Sequence, residues 1–160
     1  MKLFKAFFYF LLICTSQVSA QSDTVITGKL DNRFFQESWA VEWRMAAAAY
    51  QPDSAVIRKI NTLLPATKIE CRVILGTWCS DSRQHVPALI KISELTGIAC
   101  EFWGVSRKKE CPLNDCSGWD IEYVPTFEIW INDSKAGRIV ESPTISVEAD
   151  LLEIMGNTRK

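Results

Sequence analysis

Histidine is nearly absent from this chain: His85 is the only one in 160 residues. That excludes histidine-rich metal sites. His85 lies beyond Cys79 and off the helical face that Cys79 would occupy, so it reads as a surface residue rather than a base. Long runs of one charge are missing too. The densest basic cluster, Arg107-Lys108-Lys109, reads as a solvated loop, and 18 basic residues nearly balance 19 acidic ones. Nothing in that pattern predicts binding to nucleic acid or to an anionic membrane surface. No apolar stretch is long enough for a stable membrane span, since the run from Phe7 to Cys14 is soon broken by Thr15, Ser16 and Gln17. Internal repeats and low-complexity segments are also lacking. What remains, 48% hydrophobic and 23% charged, is the composition of one ordinary globular domain.

The first twenty residues have the character of a leader. Lys2 and Lys5 precede the apolar run, and Val18-Ser19-Ala20 supplies small residues where a signal peptidase reads them. Residues 1–20 are expected to be a signal peptide, with a retained N-terminal anchor as the alternative. A lipid anchor at Cys14 fits less well, because bulky Leu12-Ile13 precedes it. Loss of the leader removes Lys2 and Lys5 and no acid, leaving 16 basic and 19 acidic residues, a net charge of −3. The expected location is the periplasm or cell envelope. Five cysteines then remain: Cys71, Cys79, Cys100, Cys111 and Cys116. An odd number in an oxidising compartment leaves at least one thiol without a partner in the chain.

Residues 21–33 read as a flexible lead-in to a domain over 34–160. Trp39, Trp43, Ala46, Ala47 and Tyr50 follow helical spacing, and the alanine run favours a helix over 35–50. Asp53 or Ser54 caps a second helix, with Val56, Ile57, Ile60, Leu63 and Leu64 on one stripe and Pro65 at its end. Arg72 to Leu75 reads as a buried strand, residues 76–82 as a turn, and Arg83 to Thr96 as a helix closed by Gly97. Ile98 to Val105 is a second buried strand, and 106–122 a polar loop. Phe127 to Ile131 alternates as a strand. Residues 132–137 carry turn chemistry and lead to a short strand over 138–140. Ser146 caps a last helix, with Glu148 and Asp150 near its positive end. Strand–helix–strand order predicts parallel pairing, and the closing strands predict an antiparallel hairpin. The expected class is α/β, with a mixed central sheet, helices on both faces and an N-terminal helical extension.

Cys79 follows a buried strand and opens a helix, where free N–H groups and the helix dipole favour negative charge. The thiolate is the nucleophilic form, so this placement favours reactivity. The competing reading is a small buried hydrophobe, the usual place of a free cysteine. Trp78 would provide an apolar platform beside it.

The segment Thr77-Trp78-Cys79-Ser80-Asp81-Ser82, with Pro87 in the following helix and Val124-Pro125-Thr126 before a strand, resembles the thioredoxin superfamily over roughly residues 68–155. The resemblance implies a three-layer α/β/α thioredoxin-like fold. It makes Cys79 the nucleophile, Pro87 the helix kink and Pro125 a cis residue facing Cys79. It also implies that the Val124 backbone pairs with a substrate strand and that Thr126 shapes the groove. The departure is at Ser82, which stands where the family's second cysteine would be. Disulfide exchange passes through a mixed disulfide that this second thiol normally resolves. With Ser82 there, an outside thiol must finish the exchange, which suits isomerisation, adduct exchange or partner capture better than net reduction. The buried acid usual six residues before the nucleophile is Val73, consistent with the loss of a thiol for it to deprotonate. Asp81 should oppose thiolate formation and Arg83 favour it.

Cys111 and Cys116 lie in the loop after the second buried strand, at the edge where open sheets place function. They read as a structural disulfide, a second redox pair or a distal resolving thiol. Cys71 and Cys100, on presumed neighbouring strands, are expected to pack. Zinc is not expected, since ligand spacing and a tight Cys-x-x-Cys are both missing, and no cofactor is called for. A peroxidase lacks its threonine and arginine arrangement around Cys79. Expected partners are protein or low-molecular-weight thiols and disulfides. The alternative is a redox-inactive module that binds a peptide or partner protein in the same groove.

Overall fold

The computed structural model describes residues 24–31, 34–112, 116 and 119–157; the leader expected over 1–20 lies outside them. In chain order the elements are β1 Gly28–Leu30, α1 Val41–Ala49, α2 Ser54–Leu63, β2 Ile69–Leu75, α3 Ser80–Thr96, β3 Ala99–Gly104, β4 Thr126–Ile131, β5 Ser134–Val140 and α4 Val147–Asn157. The five strands form one sheet in the order β1-β3-β2-β4-β5. The β2-α3-β3 unit is parallel, as a crossover connection requires, and β4-β5 is an antiparallel hairpin. The mixed sheet and the α/β class are those expected from the element order.

Several boundaries differ, each for a local reason. Part of the 21–33 segment, read as a flexible lead-in, is β1, which pairs antiparallel with β3 from Gly28↔Gly104 to Leu30↔Phe102. Three residues with one buried apolar position on each side of Lys29 give too little periodicity to be seen in advance. The helix expected over 35–50 is divided, with 3₁₀ turns at Phe34–Gln36 and Ser38–Ala40 before α1. The turn expected over 132–137 closes in two residues. Asn132 and Asp133 take left-handed φ values of 50° and 64°, so β5 starts at Ser134. Asn132 also caps the start of β2, accepting from Lys68 N at 3.1 Å and donating its own N–H to Lys68 O at 3.0 Å.

The two faces of the sheet are chemically distinct. In β2, residues Ile69, Cys71, Val73 and Leu75 point to one face and pack with Phe102, Phe127, Ile129 and Ile131 of the neighbouring strands. All four helices add their buried residues to this core, among them Trp43, Ile60, Leu89, Ile92 and Leu151. Each such side chain, fully removed from water, stabilises the fold by about 1.5–3 kcal/mol. Val73 is fully buried here, in register with Phe102 and Phe127. A carboxylate among these neighbours would lack a compensating partner and cost several kcal/mol, so valine suits a layer with no charge to hold.

On the other face, Arg72 lies between the rings of Trp119 and Trp130, 4.5 and 5.1 Å from their centroids. Its Nη1 is 3.4 Å from Glu128, which also pairs with Lys135. Among the described residues, the cover on this face comes from the 105–125 segment. Trp119, Ile121 and Cys111 pack there against Ile74, Val105 and Val124.

Candidate functional site

Three segments meet at the C-terminal end of β2: the turn between β2 and α3, the 105–112 loop after β3, and the approach to β4. The turn is built by backbone hydrogen bonds. Cys79 N donates to Gly76 O at 2.9 Å, and Arg83 N donates to Cys79 O at 3.1 Å, making Cys79 the N-cap residue of α3. The helix therefore starts at Ser80 rather than at Arg83. No side chain takes up the cap position, so the first-turn N–H groups remain directed at the space around Cys79. Pro87 is buried inside α3, and Gly97 ends the helix with φ 74°, which glycine adopts without penalty.

Cys79 Sγ donates to Val124 O at 3.1 Å, and Asp81 Oδ2 is 3.8 Å from the same sulfur. The peptide bond from Val124 to Pro125 is cis, as expected from the sequence. Thr126 is buried, and its hydroxyl donates to Tyr123 O at 2.7 Å, which holds the approach to β4 in place rather than presenting a polar group to a ligand. Cys79 is only 9% exposed, but it opens on a cavity of about 310 Å³ lined by Trp78, Ser80, Asp81, Lys109, Tyr123, Val124 and Glu141. The sulfur is thus recessed and still reachable.

Ser82, expected at the second position of the motif, is fully buried. Its Oγ accepts from Gly76 N at 3.1 Å, so its hydroxyl supports the turn. The structure gives it a scaffolding contact on the turn, and it is not among the residues lining the cavity. Arg83, expected to favour the thiolate, instead donates from Nε to Thr77 O at 3.2 Å. His85 is half-buried rather than superficial, and that burial lowers its pKa although Asp81 pulls the other way.

Trp78 is held at both ends. Its Nε1 donates to Val105 O at 3.0 Å, and the Arg107 guanidinium lies 5.4 Å from the ring centroid. Gly76 is needed under this ring, since a Cβ there would meet Trp78 Cε2 at 2.8 Å. The Arg107-Lys108-Lys109 cluster, read as a solvated loop, supplies part of the cavity rim. Lys109 lies 5.1 Å from the Tyr123 ring centroid and donates to Glu122 O. Tyr123, Lys109 and Glu141 were not singled out from the sequence. Only the pairing of basic and aromatic residues on facing loops could have indicated them, and that needs the fold.

Thr77 ties the turn to the chain's N-terminal segment. Its hydroxyl donates to Thr24 O at 2.5 Å and accepts from Ile26 N at 3.2 Å. Ile26 then passes so close to β3 that a Cβ on Gly104 would meet Ile26 O at 2.3 Å. Residues 24–26 of the segment read as a lead-in are therefore part of the support beneath the site.

Cys111 and Cys116 are joined in a disulfide, with Cα atoms 5.6 Å apart. A bonded pair is what both a structural disulfide and the oxidised form of a redox pair present. It packs in the same small apolar cluster as Cys79. Cys71, Cys79 and Cys100 are free thiols. No group of three or more metal-ligating side chains occurs among the described residues, and none of their helices is long and apolar enough to cross a membrane.

No protein-family model matches the chain, and no curated protein does. A crystal structure of a protein of unknown function from Pseudomonas aeruginosa is similar, with a TM-score of 0.53 and 18% identity over 81% of this chain and 89% of that one. At that identity the likeness speaks to the fold alone.

Proposed function

We propose that the chain is an exported, thioredoxin-like protein that takes part in thiol–disulfide exchange through Cys79. The observation that carries this reading is the placement of the Cys79 sulfur: at the uncapped N-terminus of α3, 3.1 Å from the Val124 carbonyl that precedes Pro125, and on an open cavity. Helix N–H groups favour an anion there, and the thiolate is the reacting form. The thiolate would attack one sulfur of a disulfide R–S–S–R′, forming Cys79–S–S–R and releasing R′–S⁻. With Ser82 buried on the turn, an external thiol must attack the mixed disulfide, releasing Cys79 and carrying R away as a new disulfide. That route suits isomerisation, adduct exchange or capture of a partner. Trp78 and Val124 would contact the docked thiol or peptide, and Thr126 would shape the groove from behind. Export rests on the leader over residues 1–20, and the bonded Cys111–Cys116 loop is compatible with an oxidising compartment.

The test is capture of a disulfide probe, read as a reductant-sensitive mass increase on the Cys79 peptide. The natural chain should form the adduct, and Cys79→Ser should form none. Undiminished capture by the variant would exclude this mechanism. One observation favours a second reading, a redox-silent binding module: the Cys79 sulfur is recessed and already engaged with Val124 O. That reading expects Cys79 to react with an alkylating probe no faster than an ordinary exposed thiol.

A further inference from the structure

Cys71 and Cys100 stand apart from the site and take no part in the chemistry proposed for Cys79. They are direct register partners on the parallel strands β2 and β3, so their side chains leave the sheet on the same face. Neighbouring strands run about 4.8 Å apart, within the roughly 4.4–6.8 Å between Cα atoms that a disulfide accepts. The two thiols are near enough for each to perturb the titration of the other. Packing alone needs no sulfur at either position, whereas two thiols at matched register form a dithiol.

We propose that Cys71 and Cys100 close into a cross-strand disulfide when the protein meets a low-molecular-weight disulfide. Their unequal exposure sets the order of events, since Cys71 is sealed in the core and Cys100 is half-buried. The Cys71 thiol beside it lowers the Cys100 pKa against the effect of burial, in keeping with that order. Cys100 attacks R–S–S–R, forming Cys100–S–S–R and releasing R–S⁻. The Cys71 thiolate then attacks the Cys100 sulfur, forming the bridge and releasing a second R–S⁻. Two cysteine thiols are oxidised and one R–S–S–R is reduced, and the two cysteine protons leave on the two R–SH formed. The bridge would pin β2 to β3, the strands that lead into the Cys79 turn and the 105–112 loop. With Cys111–Cys116 already joined, Cys79 would be the one thiol left among the five that follow the leader.

The experiment uses the full chain, reduced gently, desalted and exposed to oxidised glutathione. It is then denatured, alkylated without reductant, digested and mapped by mass. The Cys71 and Cys100 peptides are expected to pass from the alkylated pool into one linked species. The same should happen in Cys79→Ser, which separates this result from the fate of the Cys79 mechanism. In Cys100→Ser, Cys71 should stay fully alkylatable. Both thiols remaining alkylatable after Cys79 has reacted would overturn the proposal. So would a lasting glutathione adduct on Cys100 alone, a Cys71–Cys79 link, or loss of the bridge in Cys79→Ser.

Discussion

Cys79 and Val124 are joined by a hydrogen bond of 3.1 Å from thiol to carbonyl, which closes the turn before α3 onto the approach to β4. A serine hydroxyl can donate to the same carbonyl. Cys79→Ser is therefore expected to fold normally, with stability within about 1 kcal/mol of the natural chain, while losing disulfide capture at position 79. Denaturant midpoints measured beside the capture assay check both halves. A large loss of stability would mean that the sulfur is chiefly a packing group.

Ser82 is buried one helical turn from Cys79, with its hydroxyl on the Gly76 amide. Ser82→Cys would restore a second thiol in the motif, and an intramolecular thiol is a far better resolving group than one in free solution. The mixed disulfide on Cys79 should then decay at least about tenfold faster without added thiol. An unchanged lifetime would show that position 82 is too recessed to reach the adduct. Because a thiol accepts more weakly from Gly76 N than a hydroxyl does, a loss of about 1 kcal/mol in stability is also expected.

The sequence and the structure agree on the cap and the apolar stripe of α2. Asp53 caps α2 as expected, accepting from Ala55 N at 2.7 Å and Val56 N at 3.3 Å, and the apolar stripe of α2 enters the core at Ile57 and Ile60. Cys79 does open a helix, because the glycine turn before it and the regular pattern after it leave little choice. What escaped was non-local. β1 is recognisable only beside β3, the role of Ser82 depends on which way one hydroxyl points, and Lys109 and Tyr123 approach each other across a loop that has no periodicity of its own. The sheet face around Arg72 was equally hidden, since Trp119 and Trp130 come from a loop and a strand with no shared periodicity and both lie against that guanidinium.

Gly76 and Trp78 test the geometry of the turn. A methyl group at residue 76 would come within 2.8 Å of the indole, so Gly76→Ala must displace the ring or the backbone. A cost of about 1–3 kcal/mol is expected from the overpacking. The Trp78 Nε1 to Val105 O bond should weaken with it, which slowed disulfide capture and altered tryptophan fluorescence would register. Unchanged fluorescence and stability would mean that the turn relaxes freely.

Thr77 offers a way to loosen the N-terminal segment without touching the cavity. Thr77→Val keeps the shape but leaves Thr24 O and Ile26 N without their shared hydroxyl. An unmet partly buried pair should cost about 1–3 kcal/mol. Hydrogen exchange is the informative readout. The amide of Ile26 and those of β1 should exchange faster, while the core amides of β2 and β4 keep their protection. Uniform acceleration across the sheet would show that β1 is part of the cooperative core rather than a strap.

Glu148 sets an acid limit on stability. It is almost fully buried at the start of α4, where burial alone would raise its pKa. The hydrogen bonds from Tyr50 OH at 2.7 Å and Asp53 N at 3.1 Å outweigh that and lower it below the ordinary carboxylate value. A carboxyl whose folded pKa lies below its unfolded one binds protons more weakly in the native state. Its contribution is complete above the unfolded pKa, about 4.3, and is lost as pH falls through the lower folded value. Glu148→Gln should therefore lose about 1.5–3 kcal/mol at neutral pH, the worth of a charged hydrogen-bond acceptor. It should also show a flatter decline in stability below about pH 4 than the natural chain does. Denaturant titrations across that range decide the matter. Parallel acid branches for the two proteins would mean that Glu148 is not the group that titrates, and that the junction of α2 with α4 is held by its apolar contacts alone.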